Sequence, residues 1–441
     1  MDSARKIAID VLQQVIYDGA YSNIELNNKL KNCKLNDKDK GLVTEIVYGT
    51  LKYKYSIDKI ISYYIKKTDS IDGYILNILR TAIYQIRYLN KIPDFAAVNE
   101  SVELTKIKNP KLSKLVNAVL RNYLRNKKIT YCNSKDIVEK LSFKYSFHPW
   151  MVKMFNKQYG KEITEKILNE SNKTPAVTVR VNDLKTNYEE AWHSLSKFGY
   201  TIEEGSVCPE AIKIIKGKNI ESNPLFKEGM ITVQDESAML VAPSLDLEEN
   251  FNVLDLCSAP GGKSTHISEI MNNTGRVYAY DVHKSKMRFI KENSERLGID
   301  NIVCSVMDAS ILNKELINRA DRILIDVPCS GLGIIRKKPE IKWNKNSQNT
   351  NKLIDIQRKI MTNAAKYTKL GGILVYSTCT LNKNENEKNI KWFLDNFPQF
   401  KLVPVYYGKL DNIIYDEKGF ATIIPGNNMD GFFIAKFIRN W

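Results

Sequence analysis

Two cysteines and an aspartate carry the strongest chemical signal in this 441-residue sequence. One run reads Asp326-Val327-Pro328-Cys329-Ser330-Gly331, and another reads Ser377-Thr378-Cys379-Thr380. Each follows a short apolar stretch of strand character, residues 322–325 and 372–376. Neighbouring strand ends would thus bring two thiols and a carboxylate over one pocket. Buried cysteines are ordinarily structural, and Cys257 and Cys304 read that way. Two thiols and an acid together match methylation of cytosine at carbon-5. That carbon is a poor nucleophile until a thiolate adds at carbon-6 and turns the ring into an enamine. The addition needs charge neutralisation at ring nitrogen 3, which an acid supplies. A base must then take the carbon-5 proton before the thiolate can leave.

A second constellation precedes the first. The apolar run Val253-Leu254-Asp255-Leu256 leads into Cys257-Ser258-Ala259-Pro260-Gly261-Gly262-Lys263 and then into helical patterning. Paired glycines let the backbone approach a ligand closely, and a helix start offers unpaired N–H groups. The spacing is neither the dinucleotide nor the triphosphate glycine pattern, which excludes a nucleoside triphosphate. Asp281 and Asp308 end the next two apolar stretches. Either alone reads as a helix cap. Three such strand ends in order fit an adenosine-containing ligand, one acid for the ribose hydroxyls and one for the adenine amino group.

The elements that must position these groups fall into three parts. Residues 1–130 show apolar stripes at helical spacing, such as Ala4, Ile7, Ala8, Val11 and Leu12, and predict an all-α bundle. Residues 131–235 combine a helical stretch near 151–168 with alternation over 176–182, which predicts a small mixed α/β domain. From 236 to 441, strand and helix patterns alternate, the signature of a doubly wound, Rossmann-like α/β domain. Residues 432–437 add a late strand.

The formal net charge is +16, which favours a polyanionic partner through counterion release. Residues 101–150 hold 11 Lys/Arg against 3 Asp/Glu. Arg121, Arg125, Lys127 and Lys128 lie there, interleaved with Tyr123 and Tyr131, a pattern suited to phosphate contact and base stacking. The bland alternative is a solvated helix face. Seven cysteines, with no pair at metal or redox spacing, predict free thiols in a reducing cytoplasm and no metal. No apolar run is long enough to cross a membrane.

The joint set of Cys257–Lys263, Asp326-Val327-Pro328-Cys329 and Ser377-Thr378-Cys379 resembles the Sun family of RNA cytosine-carbon-5 methyltransferases over about residues 230–441. Val233-Gln234-Asp235-Glu236-Ser237, the basic loop of Arg336, Pro339, Lys342 and Trp343, and Asp430-Gly431-Phe432-Phe433 extend the likeness. Val327 departs mildly, since many relatives have Ala or Pro there. The resemblance implies Cys379 as nucleophile, Cys329 as the cysteine assisting release, and Asp326 at the target base or the methyl-donor end. It implies S-adenosylmethionine as cofactor and S-adenosylhomocysteine as product, with Cys257–Lys263 around the methionine moiety, Asp281 at the ribose and Asp308 at the adenine. Arg336 is added to the RNA-binding candidates. The helical third, with Gly19-Ala20-Tyr21-Ser22-Asn23, resembles a NusB-type RNA-binding domain. The combination implies small-subunit rRNA, or an early small-subunit particle, as partner and a monomeric enzyme. Three other readings stand beside it: action on another RNA such as tRNA, an adenine amino-methyltransferase, and a non-catalytic assembly or antitermination factor. The adenine reading lacks the second Pro and the stacking aromatic of that class and leaves Cys379 without a purpose.

Overall fold

The apolar stripe beginning at Ala4 forms a helix over Ala4–Tyr17, started by the Ser3 side chain, which accepts from the Lys6 amide. The computed structural model describes residues 3–127, 129, 131–344 and 347–441. The chain divides into two units: Met1–Lys173 with Ile335–Lys345, and Thr174–Ile334 with Asn346–Trp441.

The first unit is helical. Helices over Ser22–Lys31, Asp37–Tyr64, Gly73–Tyr88, Asp94–Lys108 and Ser113–Arg125 follow the first. Asn36 and Asp72 cap two of them, each accepting from backbone amides of the first turn. Ala8, Val11, Leu12, Val43, Ile46 and Leu51 are buried in one cluster, Ile78, Leu79, Ile83, Val116 and Leu120 in another. The sequence stripes therefore mark the inward faces, as expected. Two more helices, Ile137–Tyr145 and Pro149–Glu170, complete the unit, the second kinked at Gly160, which is not helical. The returning segment is pinned here by three side chains, the first two of them buried. Glu340 accepts from the amide and hydroxyl of Ser22 at 3.2 and 2.8 Å. Lys342 Nζ donates to Lys52 O, Ser146 O and Asn172 Oδ1. Trp343 Nε1 donates to Leu51 O.

The second unit holds two sheets. In the smaller, β1 (Val177–Val181), β2 (Thr201–Glu204), β3 (Ala211–Lys216) and β4 (Ile231–Val233) run in the order β2-β3-β1-β4, antiparallel throughout. The larger begins with β5 (Asn252–Asp255), β6 (Arg276–Asp281), β7 (Ile302–Val306), β8 (Ala320–Asp326) and β9 (Thr368–Thr378), which pair in parallel. β10 (Phe400–Val403), β11 (Ile413–Tyr415), β12 (Ala421–Ile423) and β13 (Phe432–Arg439) add antiparallel edges. The path is β11-β12-β13-β9-β8-β5-β6-β7, with β10 also on β13. The chain runs outward from β5 to β7 and then back to β8 and β9. The reversal lies between β5 and β8, where a doubly wound sheet opens a crevice at its carboxyl ends. The doubly wound expectation holds, and the late strand at 432 is β13. Among the described residues no helix is long and apolar enough to cross a membrane.

Candidate active site

Residues from β5 to β8 line a 260 Å³ cavity at the carboxyl ends of the parallel strands. Cys257 and Ala259 come from the loop after β5, Asp281 ends β6, Asp308 and Ala309 follow β7, and Asp326 and Pro328 follow β8. Gly261 has φ +102°, and a Cβ there would come within 3.1 Å of Ile290 Cα, so the turn into the helix Gly262–Ile270 requires glycine. Asp281 is buried, and its Oδ1 accepts from the His283 amide. Asp308 Oδ1 accepts from the amide and hydroxyl of Ser310. Each acid thus makes the local cap expected of a strand-end Asp while also lining the cavity. Burial, with four surrounding acids, pushes the Cys257 thiol well up.

Arg180 of β1 braces this loop from the small sheet. Its side chain is fully buried and donates to both oxygens of Glu269 at 2.6 and 2.9 Å and to Gly262 O at 3.0 Å. It also bonds Gln234, which precedes Asp235. Asp235 Oδ1 in turn accepts from the Asp430 amide at 3.0 Å, so two of the motifs singled out in the sequence meet.

The thiols come together at the neighbouring ends of β8 and β9. Asp326 pairs with Ser377 in register, and Cys329 Sγ lies 3.2 Å from Cys379 Sγ. Asp326 accepts from Ser377 Oγ at 2.8 Å and from Lys263 Nζ at 2.7 Å. Burial lowers the Lys263 ammonium, but the charge of Asp326 and the bond to it outweigh that and raise it. The hydrogen bond to Cys379, then burial, push the Cys329 thiol well up. Either sulfur of the pair can be the donor in this contact. Burial pushes the Asp255 carboxyl up to about 7, against the bond it receives from Ser264.

Of the residues singled out for chemistry in the sequence, Cys257, Ala259, Asp281, Asp308 and Asp326 line this cavity, while Cys329 and Cys379 meet each other at the neighbouring strand ends. The pairing of Lys263 with Asp326, and the parts of Asp255 and Arg180, were not anticipated. Lys263 and Asp255 lie in the motif already quoted, but no spacing rule pairs them with their partners. Arg180 lies on a strand of another sheet, with no sequence signal linking it to the loop.

The basic candidates are less uniform. Arg121 and Arg125 are exposed, whereas Lys127 is paired with Asp94 at 2.6 Å. Lys128 lies outside the described residues. Arg336 is buried, with 7% exposure. The expectation of base stacking at Tyr123 is corrected: at 1% exposure it faces the core, because the helical register that exposes Arg121 and Arg125 turns Tyr123 inward. Tyr131 is half-buried and shares its hydroxyl with Tyr64.

The sequence matches family models described as 16S rRNA methyltransferase RsmB/F over residues 242–438 and NusB family over residues 2–125. A third, an RsmF/B-like ferredoxin-like domain, matches residues 148–221. The probable ribosomal RNA small subunit methyltransferase B of Bacillus subtilis is 40% identical over 438 residues, 98% of each chain. The chain belongs to the RsmB/F methyltransferase family. The same-named Synechocystis protein is 34% identical over 99% of each chain. Among solved structures, PH0851 superposes with TM-score 0.84 at 28% identity over 99% of each chain. A methyltransferase homologue from Pyrococcus horikoshii, also 28% identical, gives 0.61 over 69% of this chain and all of its own. RsmB/F members are S-adenosylmethionine-dependent enzymes, and the crevice suits that ligand. It joins two acids on successive strand ends to a glycine turn at the start of a helix.

Proposed function

We propose that this protein methylates carbon-5 of a cytosine in small-subunit rRNA through a covalent adduct on Cys379. The observation that carries the proposal is the 3.2 Å contact between Cys329 and Cys379, beside Asp326, at the rim of the cofactor cavity. Two thiols so placed serve adduct chemistry and have no evident use in amine methylation.

In this reading Asp281 takes the ribose hydroxyls, Asp308 the adenine amino group, and the Cys257–Lys263 turn the methionine moiety. The bound cofactor supplies an electrophilic methyl group. Cys379 Sγ, in contact with Cys329, adds to carbon-6 as the thiolate. The Lys263–Asp326 pair neutralises the charge arising at ring nitrogen 3. Once carbon-5 carries the methyl group, Cys329 Sγ, as the base, takes the carbon-5 proton, the C–H electron pair closes the 5,6 double bond, and the carbon-6–sulfur bond breaks with its pair returning to Cys379. Cys329 is the group beside Cys379 that serves this release. Exposed Arg121 and Arg125 of the helical unit contact phosphates. Small-subunit rRNA as substrate rests on the names of the full-length relatives.

Incubation with labelled cofactor and unmodified rRNA, followed by mass spectrometry of the nucleosides, tests the reading. 5-Methylcytosine is expected from small-subunit rRNA. Methyladenine, or no product, would overturn it.

A further inference from the structure

The residue following each cysteine is tied to the same buried carboxylate. Glu385 is fully buried on the loop that leaves β9, where it meets the loop that leaves β8. Its Oε2 accepts from the Ser330 amide at 2.9 Å and from Gln357 Nε2 at 3.1 Å. Its Oε1 accepts from Ser330 Oγ at 2.5 Å and Asn382 Nδ2 at 3.1 Å. Ser330 Oγ lies 2.7 Å from Thr380 Oγ1. Because Ser330 spends its one hydroxyl proton on the carboxylate, Thr380 must donate to Ser330. The chain therefore runs in one direction, from Thr380 through Ser330 to Glu385. Ser330 adjoins Cys329 and Thr380 adjoins Cys379.

We propose that Glu385 is a positioning residue that sets the approach of Cys379 and Cys329 by gathering the residue after each. Its carboxylate bonds go to Ser330, Gln357 and Asn382 rather than to either sulfur, and it is not among the residues that line the cofactor cavity. It fixes backbone on both sides of the pair and leaves the side chains to meet. Gln357 adds a second tether from the same carboxylate, since its Nε2 also donates to Pro328 O at 3.0 Å. Asn389 holds Gln357 from behind, donating to its Oε1 at 2.8 Å. The carbonyl of Cys379 is held separately by the Gly333 amide at 2.9 Å. The Glu385 network therefore governs the spacing of the loops more than the path of either alone. An ionised carboxylate suits the position because it is acceptor-only and strong, and its three neighbours, Ser330, Gln357 and Asn382, present four donors.

That polarity makes Glu385→Gln informative. The substitution keeps shape and volume, but its amide group must face two donors, whichever way it is turned. The displacement reaches both cysteines, and misplacement of about 1 Å at reacting groups costs on the order of 100-fold in rate.

The proposal rests on the Cys379 reading for its effect on turnover, but not for its effect on the thiol pair. Two measurements keep these separate. Phenylarsine oxide bridges two thiols only when they can meet, so protection of both from alkylation, mapped by peptide mass spectrometry, reports the pair without RNA. Single-turnover methylation reports the chemistry, with calorimetry for cofactor affinity. Glu385→Gln is expected to slow arsenical bridging and to lower the methylation rate about 100-fold, with cofactor affinity unchanged. Bridging and rate within twofold of wild type would overturn the proposal. If the variant does not fold, Ser330→Ala takes its place, with a drop of about 10-fold expected from loss of the hydroxyl's bonds to Glu385 and Thr380 and none as the overturning result. If bridging depends on Glu385 while the wild type makes no 5-methylcytosine, the Cys379 reading falls and the positioning role stands.

Discussion

Cys329 Sγ and Cys379 Sγ lie 3.2 Å apart although 50 residues separate them in the chain. The contact follows from the parallel register of β8 and β9, in which Asp326 lies opposite Ser377. Each sulfur then comes two or three residues beyond that pair. The bond between the sulfurs, and then burial, raise the Cys329 thiol.

The two thiols should fail in different ways. Cys379→Ala removes the nucleophile, so neither product nor adduct should form. Cys329→Ala should permit attack and methyl transfer but slow elimination, leaving a protein–RNA adduct that survives denaturing electrophoresis. The adduct should vanish in the double variant. Trapping by the Cys379 variant and not by the Cys329 variant would reverse the two roles.

Asp281→Ala should weaken S-adenosylmethionine binding by about 1–3 kcal/mol, the cost of leaving ribose hydroxyls unpaired. Asp308→Ala should lose less, because its carboxylate is more exposed and water replaces part of the bond. Calorimetry on the free enzyme measures both. Wild-type affinity in Asp281→Ala would reduce that residue to the cap it makes on His283.

The contrast between motif and network explains what the sequence could convey. Strand-end residues such as Asp281, Asp326 and Cys379 are legible because a doubly wound sheet sends every parallel strand end to one side. Chain order alone then predicts their convergence. Helical stripes are legible for the same reason, a fixed period facing one core. Glu385 is not legible in that way. It sits in the polar run Asn382-Lys383-Asn384-Glu385-Asn386, whose composition reads as a surface turn, yet Glu385, Asn382 and Asn386 are buried. Only the folded loops supply the donors that make a buried carboxylate tolerable there. Arg180 is hidden likewise, its partners lying in a different sheet. Tyr123 shows the reverse error: residue type suggested stacking, while the register of its own helix buried it.

Asp255 gives a pH dependence of defined sign. Its folded pKa of about 7 exceeds the ordinary aspartate value of 3.8. A raised value means the folded state holds the extra proton between these limits, so the stabilisation is present below about 4 and is lost as pH rises through 7. Asp255→Asn removes the titration. The stability of the variant relative to wild type should therefore rise between pH 4 and 8, by up to about 4 kcal/mol at roughly 1.4 kcal/mol per pKa unit. Melting temperatures of the two proteins across that range measure it. A constant difference would show that Asp255 does not titrate there.

The helical unit offers the last prediction, which turns on which basic side chains are free to meet phosphate. Arg121 and Arg125 are four residues apart on one exposed helix face, about one turn along the axis. Arg121 Nε bonds the neutral Asn117, so its charge is uncompensated by that contact. Lys127, by contrast, is paired with Asp94, and Arg336 is buried. Charge reversal at Arg121 and Arg125 should weaken RNA binding and lower the slope of log affinity against log salt by about one for each phosphate no longer neutralised. Cofactor affinity should not change. Lys127→Ala should cost less than either arginine, because Asp94 already competes for the ammonium. Asp94→Asn frees that ammonium and should tighten RNA binding, with a steeper salt dependence. A salt titration of the four variants decides the matter. If both arginine reversals leave the slope at its wild-type value, this face is a solvated helix surface and the phosphates are met elsewhere.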